Sequence, residues 1–303
     1  MDGILIIDKP DGFTSHDVVA RCRKILKTKR IGHTGTLDPF ATGVMVILVG
    51  RATRLAQFLD KEAKEYEAQI RFGFETSTGD LTGTRNAERG TRNQEIVEIL
   101  SETNWENVFA KFRGEIWQTP PMYSAKKVAG KKLYELARKG IEIERKPVAV
   151  KIYELELLEE IRTPHFALRV RVVCSAGTYI RALAEDIGRE LKIGAHLTAL
   201  RRTRAGKFDL SQSVTLEKLE KIVAENKLDE TLISTRDALA HLPEKILAAE
   251  EILQVKHGMK LKFISDEINN NETIRLTDEN ENLVAVGFYD DEKKVIQPKI
   301  VLV

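Results

Sequence analysis

Residues 32 to 50, GHTGTLDPFATGVMVILVG, decide how the rest of the chain is read. Val44 to Val49 is an unbroken apolar run of strand length. A strand that is apolar on both faces is covered on both sides, so this run predicts a central position in a sheet. Before it comes a loop rich in Gly and Thr. It brackets Asp38 between Gly35 and Gly43, with Pro39 directly after. A loop of this kind can hold one carboxylate rigidly at the edge of a sheet, as a catalytic group requires. The same residues also suit a plain turn, because Asp-Pro pairs commonly start turns.

Working outward, Ile4 to Ile7 reads as a short buried strand. Thr14 or Ser15 can cap a helix whose apolar face is Val18, Val19, Cys22, Ile25 and Leu26. Thr53 to Leu59 looks helical. Tyr66, Ala68, Ile70 and Phe72 alternate with polar residues, which predicts a half-buried strand. Short helices are expected over 93–101 and 105–112, an irregular stretch over 118–130, and a basic helix over 131–139. Strands are expected over 147–158, 167–174 and 197–204. An amphipathic helix over 178–191 presents Ile180, Leu183, Ala184, Ile187 and Leu191. Hairpins mix with helices and no regular βαβ alternation appears. The fold class predicted is α+β, with a mixed, mostly antiparallel central sheet flanked by helices. Pro243 opens a different texture, with a helix over 248–256 and short strands over 260–264, 273–276, 283–289 and 295–302. These residues form a small β-rich module, stable when docked on a larger partner.

A length of 303 residues suits one large and one small domain, and 42% hydrophobic residues suffice for a true core. Cys22 and Cys174 lie far apart and no CxxC is present. The six histidines (16, 33, 165, 196, 241 and 257) are scattered, so no metal site is expected. The N-terminus lacks a basic region followed by a long apolar stretch, and no apolar run reaches the roughly 20 residues that span a bilayer. The simplest location is the cytoplasm, with no membrane contact.

Net charge is only +2, but it is clustered. Residues 23–30 carry five basic groups and no acid, and residues 111–151 carry eleven basic against four acidic groups. Arg201, Arg202, Arg204 and Lys207 make a third cluster. Residues 244–303 instead hold eight basic and twelve acidic groups. Positive charge clustered on a balanced chain is the footprint of a polyanion partner.

Several ordered stretches resemble the TruB-type tRNA pseudouridine synthases. They are DKPDGFTS (8–15), GHTGTLDPFATGV, EYEAQIRFG with TSTGDLTG after it, QTPPMYSAKKVAGKKLYELARKG (118–140), CSAGTYIRALAEDIG (174–188) and LRRTRAGKF (200–208). The resemblance implies a catalytic domain over 1–240, with an inserted RNA-binding thumb over about 118–146, and a PUA-like domain over 241–303. It implies isomerisation of uridine to pseudouridine at position 55 in the T arm of tRNA, with the base flipped out of its stack. A tRNA-binding or folding protein whose modification activity is secondary is the alternative. The reaction conserves every atom apart from one exchanged proton, so no cofactor and no metal is expected, and neither GxxxxGK[ST] nor GxGxxG after a strand is present.

By the same resemblance Asp38 is the nucleophile or the stabiliser of positive charge on the ribose, and Arg181 is its partner. A guanidinium keeps its charge and offers two parallel donors. Tyr66 stacks on the base, Tyr179 and Leu200 touch it, and His33 fills the vacated stack. Lys9 belongs to the N-terminal motif at the substrate site. Lys126, Lys127, Lys131 and Lys132 of the thumb bind phosphates. The long thumb favours a stand-alone form that needs neither guide RNA nor a protein partner, and nothing in the sequence indicates more than a monomer.

Overall fold

Strand β1 (Gly3–Lys9) shows how the sheet is covered. Ile4 and Ile6 face one core while Leu5 and Ile7 face another, as the period of two requires. The computed structural model describes residues 1–85, 93–128, 130–162 and 166–303. Helix α1 (Ser15–Ile25) begins at Thr14, whose hydroxyl oxygen accepts from the Asp17 N–H while the Asp17 carboxylate accepts from the Thr14 N–H. Its face of Val18, Val19, Cys22 and Ile25 packs on Leu5 and Ile7. β2 (Ile31–Thr34), a strand not anticipated from the sequence, leads to β3 (Thr42–Val49). In β3 the residues Val44, Val46 and Leu48 enter the first core, and Met45, Ile47 and Val49 the second. The run is therefore covered on both faces, as its composition requires.

A 3₁₀ turn over Gly50–Leu55 precedes the short helix α2 (Ala56–Leu59), so the helix expected over 53–59 is divided. β4 (Lys64–Phe72), α3 (Asn93–Glu102), α4 (Trp105–Ala110) and β5 (Gly114–Gln118) follow. The basic insertion holds a tight hairpin, β6 (Lys127–Val128) and β7 (Lys131–Lys132), and then α5 (Leu133–Ala137). The helix expected over 131–139 is shorter because Lys131 and Lys132 pair back onto Val128 and Lys127. β8 (Val148–Ile161), β9 (Ala167–Cys174), α6 (Ile180–Glu190), β10 (Ala195–Ala205), β11 (Phe208–Asp209), α7 (Leu216–Ala224) and α8 (Thr235–Ala238) complete this part.

The main sheet runs β1-β3-β10-β4-β9-β8-β5, with β2 also on β3 and β11 on β10. Its strand pairs are antiparallel except β10 with β3, so the sheet is mixed and mostly antiparallel, as predicted. Ile180, Leu183, Ala184 and Ile187 of α6 pack against Ala68, Ile70, Leu197 and Leu200. Each buried Leu or Ile side chain among these contributes about 1.5–3 kcal/mol. A second sheet is built from β12 (Glu244–Ile246), β13 (Leu261–Lys262), β14 (Thr273–Thr277), β15 (Leu283–Asp290) and β16 (Val295–Val301), with helix α9 (Ala249–Lys256) against it. Leu283 and Val286 from this sheet, with Leu302 just beyond it, cover the Ile4, Val44 and Val46 face of the first. Among the described residues no helix is long and apolar enough to cross a membrane.

Candidate active site

The edge of β3 is shared, and the site lies where its two neighbours part. β1 pairs along one edge from Gly43 to Val49. On the other edge β2 takes Val46 to Val49, while β10 takes only Thr42 and Gly43. Loop 35–41 fills the fork between β2 and β10. Gly43 permits the close approach of β10. Its φ is +100°, and a Cβ there would stand 2.2 Å from the Arg202 carbonyl oxygen.

The loop is held from several sides. The Ser15 hydroxyl donates to the Leu37 carbonyl (3.1 Å) and accepts from the Leu37 N–H (2.9 Å). Lys9 Nζ donates to the carbonyls of Pro10, Pro39 and Ala41. Buried Arg202 donates from Nη2 to the Gly35 carbonyl and from Nε to the Val44 carbonyl. These bonds leave the Asp38 side chain little freedom of position, which is the rigidity a reacting group needs.

Arg181 meets Asp38 side-on. Nε lies 2.9 Å from Oδ2 and Nη2 donates to Oδ1 at 3.1 Å. Nη1 donates to the Thr78 carbonyl and Nη2 to the Tyr123 carbonyl, each at 2.7 Å. Asp80 Oδ2 is 3.7 Å from Nη1. Arg181 is 4% exposed while Asp38 keeps 31% of its side-chain surface open toward the cavity. Arg181 sits in the first turn of α6, where a positive charge opposes the helix dipole. The turn is fixed by Gln118, whose amide oxygen accepts from the Tyr179 N–H and whose amide nitrogen donates to the Tyr179 carbonyl. Burial raises the Asp38 carboxyl above its usual range and Asp80 adds to this, while the Arg181 guanidinium and Lys9 oppose it. One guanidinium thus serves two carboxylates, and the ionised form of Asp38 depends on it.

Asp38, Lys64, Tyr66, Tyr179, Leu200 and Arg202 line a cavity of about 260 Å³. Burial raises the Tyr66 phenol above its ordinary value, although the Arg202 guanidinium beside it pulls the other way. The phenol is therefore protonated at neutral pH. It offers a flat face with one polar tip, suited to stacking on a planar ring. A wider groove of about 840 Å³ shares Leu37, Asp38, Ser124 and Arg181 with the cavity. One wall carries Tyr123, Ser124, Tyr134 and Arg138 from the basic insertion, and the other carries His16 and the loop from Ser77 to Thr84. A cavity holding a paired carboxylate, opening onto a groove beside a basic hairpin, can take one planar base out of a polyanion.

Five residues singled out from the sequence are thus brought together: Asp38, Tyr66, Tyr179, Arg181 and Leu200. Lys9 lies behind the loop and not in the cavity. It is fully buried and its ammonium is pushed down to about 8 by burial, so it positions the Asp38 loop and is out of reach of an RNA. His33 sits on β2 near the groove, 6.1 Å from His16 between ring centroids and edge to face. Its Nδ1 is buried without a hydrogen-bond partner among the described residues, and burial lowers the ring to about 4, so it is neutral at pH 7. Lys126, Lys127 and Lys131 belong to the hairpin region outside the cavity, with Lys127 and Lys131 exposed. Lys132 lies opposite Lys127, and its side chain falls outside the described residues.

Sequence reasoning missed Lys64, Asp80, Ser124 and Arg202. Lys64 was open to detection, since it stands two residues before Tyr66 on the same face of an alternating strand. Arg202 was not, because its place beside Tyr66 rests on the pairing of β10 with β4.

Comparison with known folds gives the class first. The chain matches a Cbf5-Nop10-Gar1 complex structure with a TM-score of 0.73 and 28% identity, covering 99% of this chain and 85% of that one. It also matches an H/ACA RNP bound to a substrate RNA containing 2'-deoxyuridine, with a TM-score of 0.71 and 27% identity, covering 99% and 85%. The fold is that of the pseudouridine synthases. Residues 23–180 match the model of the TruB family pseudouridylate synthase N-terminal domain, and residues 181–254 that of the tRNA pseudouridylate synthase B C-terminal domain. The chain belongs to the TruB family of pseudouridylate synthases. Relatives named tRNA pseudouridine synthase B include one from Geobacillus thermodenitrificans, 46% identical over 87% of this chain and 86% of that one. Another, from Bacillus cytotoxicus, is 40% identical over 100% and 98%.

Proposed function

We propose that this protein converts uridine to pseudouridine at position 55 of the T arm of tRNA, on a base flipped into the cavity beside Asp38. The observation that carries this is the Asp38–Arg181 pair inside a cavity also lined by Tyr66 and Leu200. A carboxylate held ionised there can attack covalently, or stabilise positive charge on the ribose as the base departs. Flipping a stacked base costs a few kcal/mol, and Tyr66 and Leu200 offer apolar contact in return. The thumb over 118–146 clamps the arm through phosphates, with Lys126, Lys127, Lys131 and Lys132 as contacts. His33 fills the gap in the stack as a neutral ring, which can stack and hydrogen bond together. Residues 241–303 act as a PUA-like module. The protein works as a cytoplasmic monomer without guide RNA or protein partner.

The test is incubation with an unmodified tRNA transcript, scored for pseudouridine at that position. Asp38→Asn abolishes product and leaves tRNA affinity within a few-fold of the parent. Product formed by Asp38→Asn, or none formed by the parent protein, removes this proposal.

A further inference from the structure

Lys64 is a cation for which the described residues supply no hydrogen-bond partner. Its Nζ is fully enclosed, and the residue is 5% exposed. It lines the cavity together with Asp38 and Tyr66. Leaving a buried ammonium without an acceptor is costly, and such groups in native proteins call for an explanation. The groups acting on it from neighbouring elements are Arg202 on β10, Cys174 on β9, and Glu62 and Asp60 just before β4. Arg202 disfavours its charge, and the two carboxylates favour it only at a distance. Ser124 supplies a second orphan on the cavity wall, a buried hydroxyl without a hydrogen-bond partner among the described residues. One cationic donor and one hydroxyl, set beside an aromatic ring and a leucine, match a flat ring edged by carbonyl oxygens and an imide N–H. A phosphate fits less well, since the RNA backbone stays in the groove when its base enters the cavity.

We propose that the Lys64 ammonium donates to a carbonyl oxygen of the bound uracil and balances the negative charge that the base acquires during the reaction. This rests on the function proposed above. When the bond from N1 to the ribose C1′ breaks, its electron pair stays on the base, spread over N1 and the two carbonyl oxygens. A ring electron pair at C5 then forms the bond to C1′, C5 releases its hydrogen as a proton, and N1 takes one up. If Asp38 instead adds to the ring at C6, the electron pair of the C5–C6 double bond moves onto C5 and the C4 carbonyl oxygen. In both cases the charge is absent from the bound uridine and appears only as bonds change. A cation aimed at it therefore favours the transition state over the bound uridine. Burial lowers the ammonium to about 8, so it is still largely charged at pH 7 and gains further when an anion forms beside it.

Single-turnover conversion of an unmodified tRNA transcript separates this role from others. Lys64→Met should slow the chemical step about 10²- to 10³-fold, the cost of one preorganised donor to developing charge. Its tRNA dissociation constant should stay within threefold of the parent. Lys64→Arg should recover at least tenfold over Lys64→Met. In the parent protein the rate should fall above about pH 8, and in Lys64→Arg that fall should move upward, because guanidinium does not lose its proton there. Lys9 titrates in the same range, and the shift in Lys64→Arg distinguishes the two. A Lys64→Met rate within threefold of the parent overturns the proposal. So does weakened binding with an unchanged rate, which would mark a phosphate contact. Should Lys64→Met fail to fold, a parent profile flat to pH 9.5 still refutes it. A parent protein that makes no pseudouridine removes the function proposed above; an active parent matched by Lys64→Met removes only this role.

Discussion

Replacing Arg181 with Met tests the electrostatic design of the site most directly. Methionine keeps much of the side-chain volume and withdraws the charge and three kinds of interaction: the paired bonds to Asp38, and the bonds to the Thr78 and Tyr123 carbonyls. Two unit charges about 4 Å apart, at an effective dielectric near 20, attract by about 4 kcal/mol. Withdrawing that attraction moves the ionisation of Asp38 toward its neutral acid by about three powers of ten. Asp38 is 31% exposed, and solvent on that side screens part of the effect. The fall in single-turnover rate is therefore greatest at the acid end, where it approaches at most about 10³-fold, and it shrinks as the pH rises. The sign with pH is the sharper check. Burial already raises the Asp38 carboxyl, and without Arg181 nothing nearby of equal strength opposes it. Activity in Arg181→Met should climb relative to the parent as the pH rises from 6 to 8, because more of the neutral acid ionises. The assay is pseudouridine formed in one turnover on an unmodified tRNA transcript, across that range. A rate at the acid end close to the parent, or a depressed rate that ignores pH, would show that Arg181 does not keep Asp38 ionised.

Gly43→Ala should lower the melting temperature by about 6–12 °C, from a cost near 3 kcal/mol for strained backbone and a forced retreat of β10. A melting temperature within 2 °C of the parent, by circular dichroism, would contradict the close approach. Changing Lys126, Lys127, Lys131 and Lys132 together to Ala should weaken tRNA binding and make its salt dependence shallower, by about 0.7–0.9 in the logarithmic slope for each phosphate no longer neutralised. An unaltered slope in a binding titration over salt would remove the thumb from the interface. His33 has a folded-state value near 4 against its ordinary 6.5, so folding favours the neutral ring. That stabilisation is complete above about pH 6.5 and is lost as the pH falls toward 4. The urea midpoint of the parent should therefore fall more between pH 7 and pH 5 than that of His33→Asn, and equal falls would contradict the burial of this ring.

The elements legible in the sequence were those whose burial repeats at a short period. Val44 to Val49 is apolar at every position and lies between two cores. Tyr66 to Phe72 alternates, and only one of its faces enters the core. The face of α6 repeats at helical spacing and packs where expected. Short segments escaped because their conformation is imposed from outside. β2 is four residues long and exists by pairing with Val46 to Val49. β12 is three residues long and exists by pairing with Arg275 to Thr277. The Lys127–Lys132 hairpin was hidden by residues that, by propensity alone, would extend the helix after them. β8 continues to Ile161 beyond its apolar part because β9 offers a partner along its whole length.

Local chemistry along the chain was enough to reveal an α+β fold, a carboxylate in a rigid loop, a phenol on a half-buried strand, and positive charge gathered for a polyanion. These depend on neighbours within a few positions, where periodicity and turn chemistry act. Distances across the chain were set only by folding. Asp38 and Arg181 are 143 residues apart and become partners because β2 and β10 diverge from one edge of β3, leaving a loop opposite the first turn of α6. The burial that raises Asp38, strands the Lys64 ammonium and withdraws Lys9 from the substrate's reach is likewise a property of packed layers. Desolvation depends on what surrounds a group in space, and no pattern of adjacent residues encodes it.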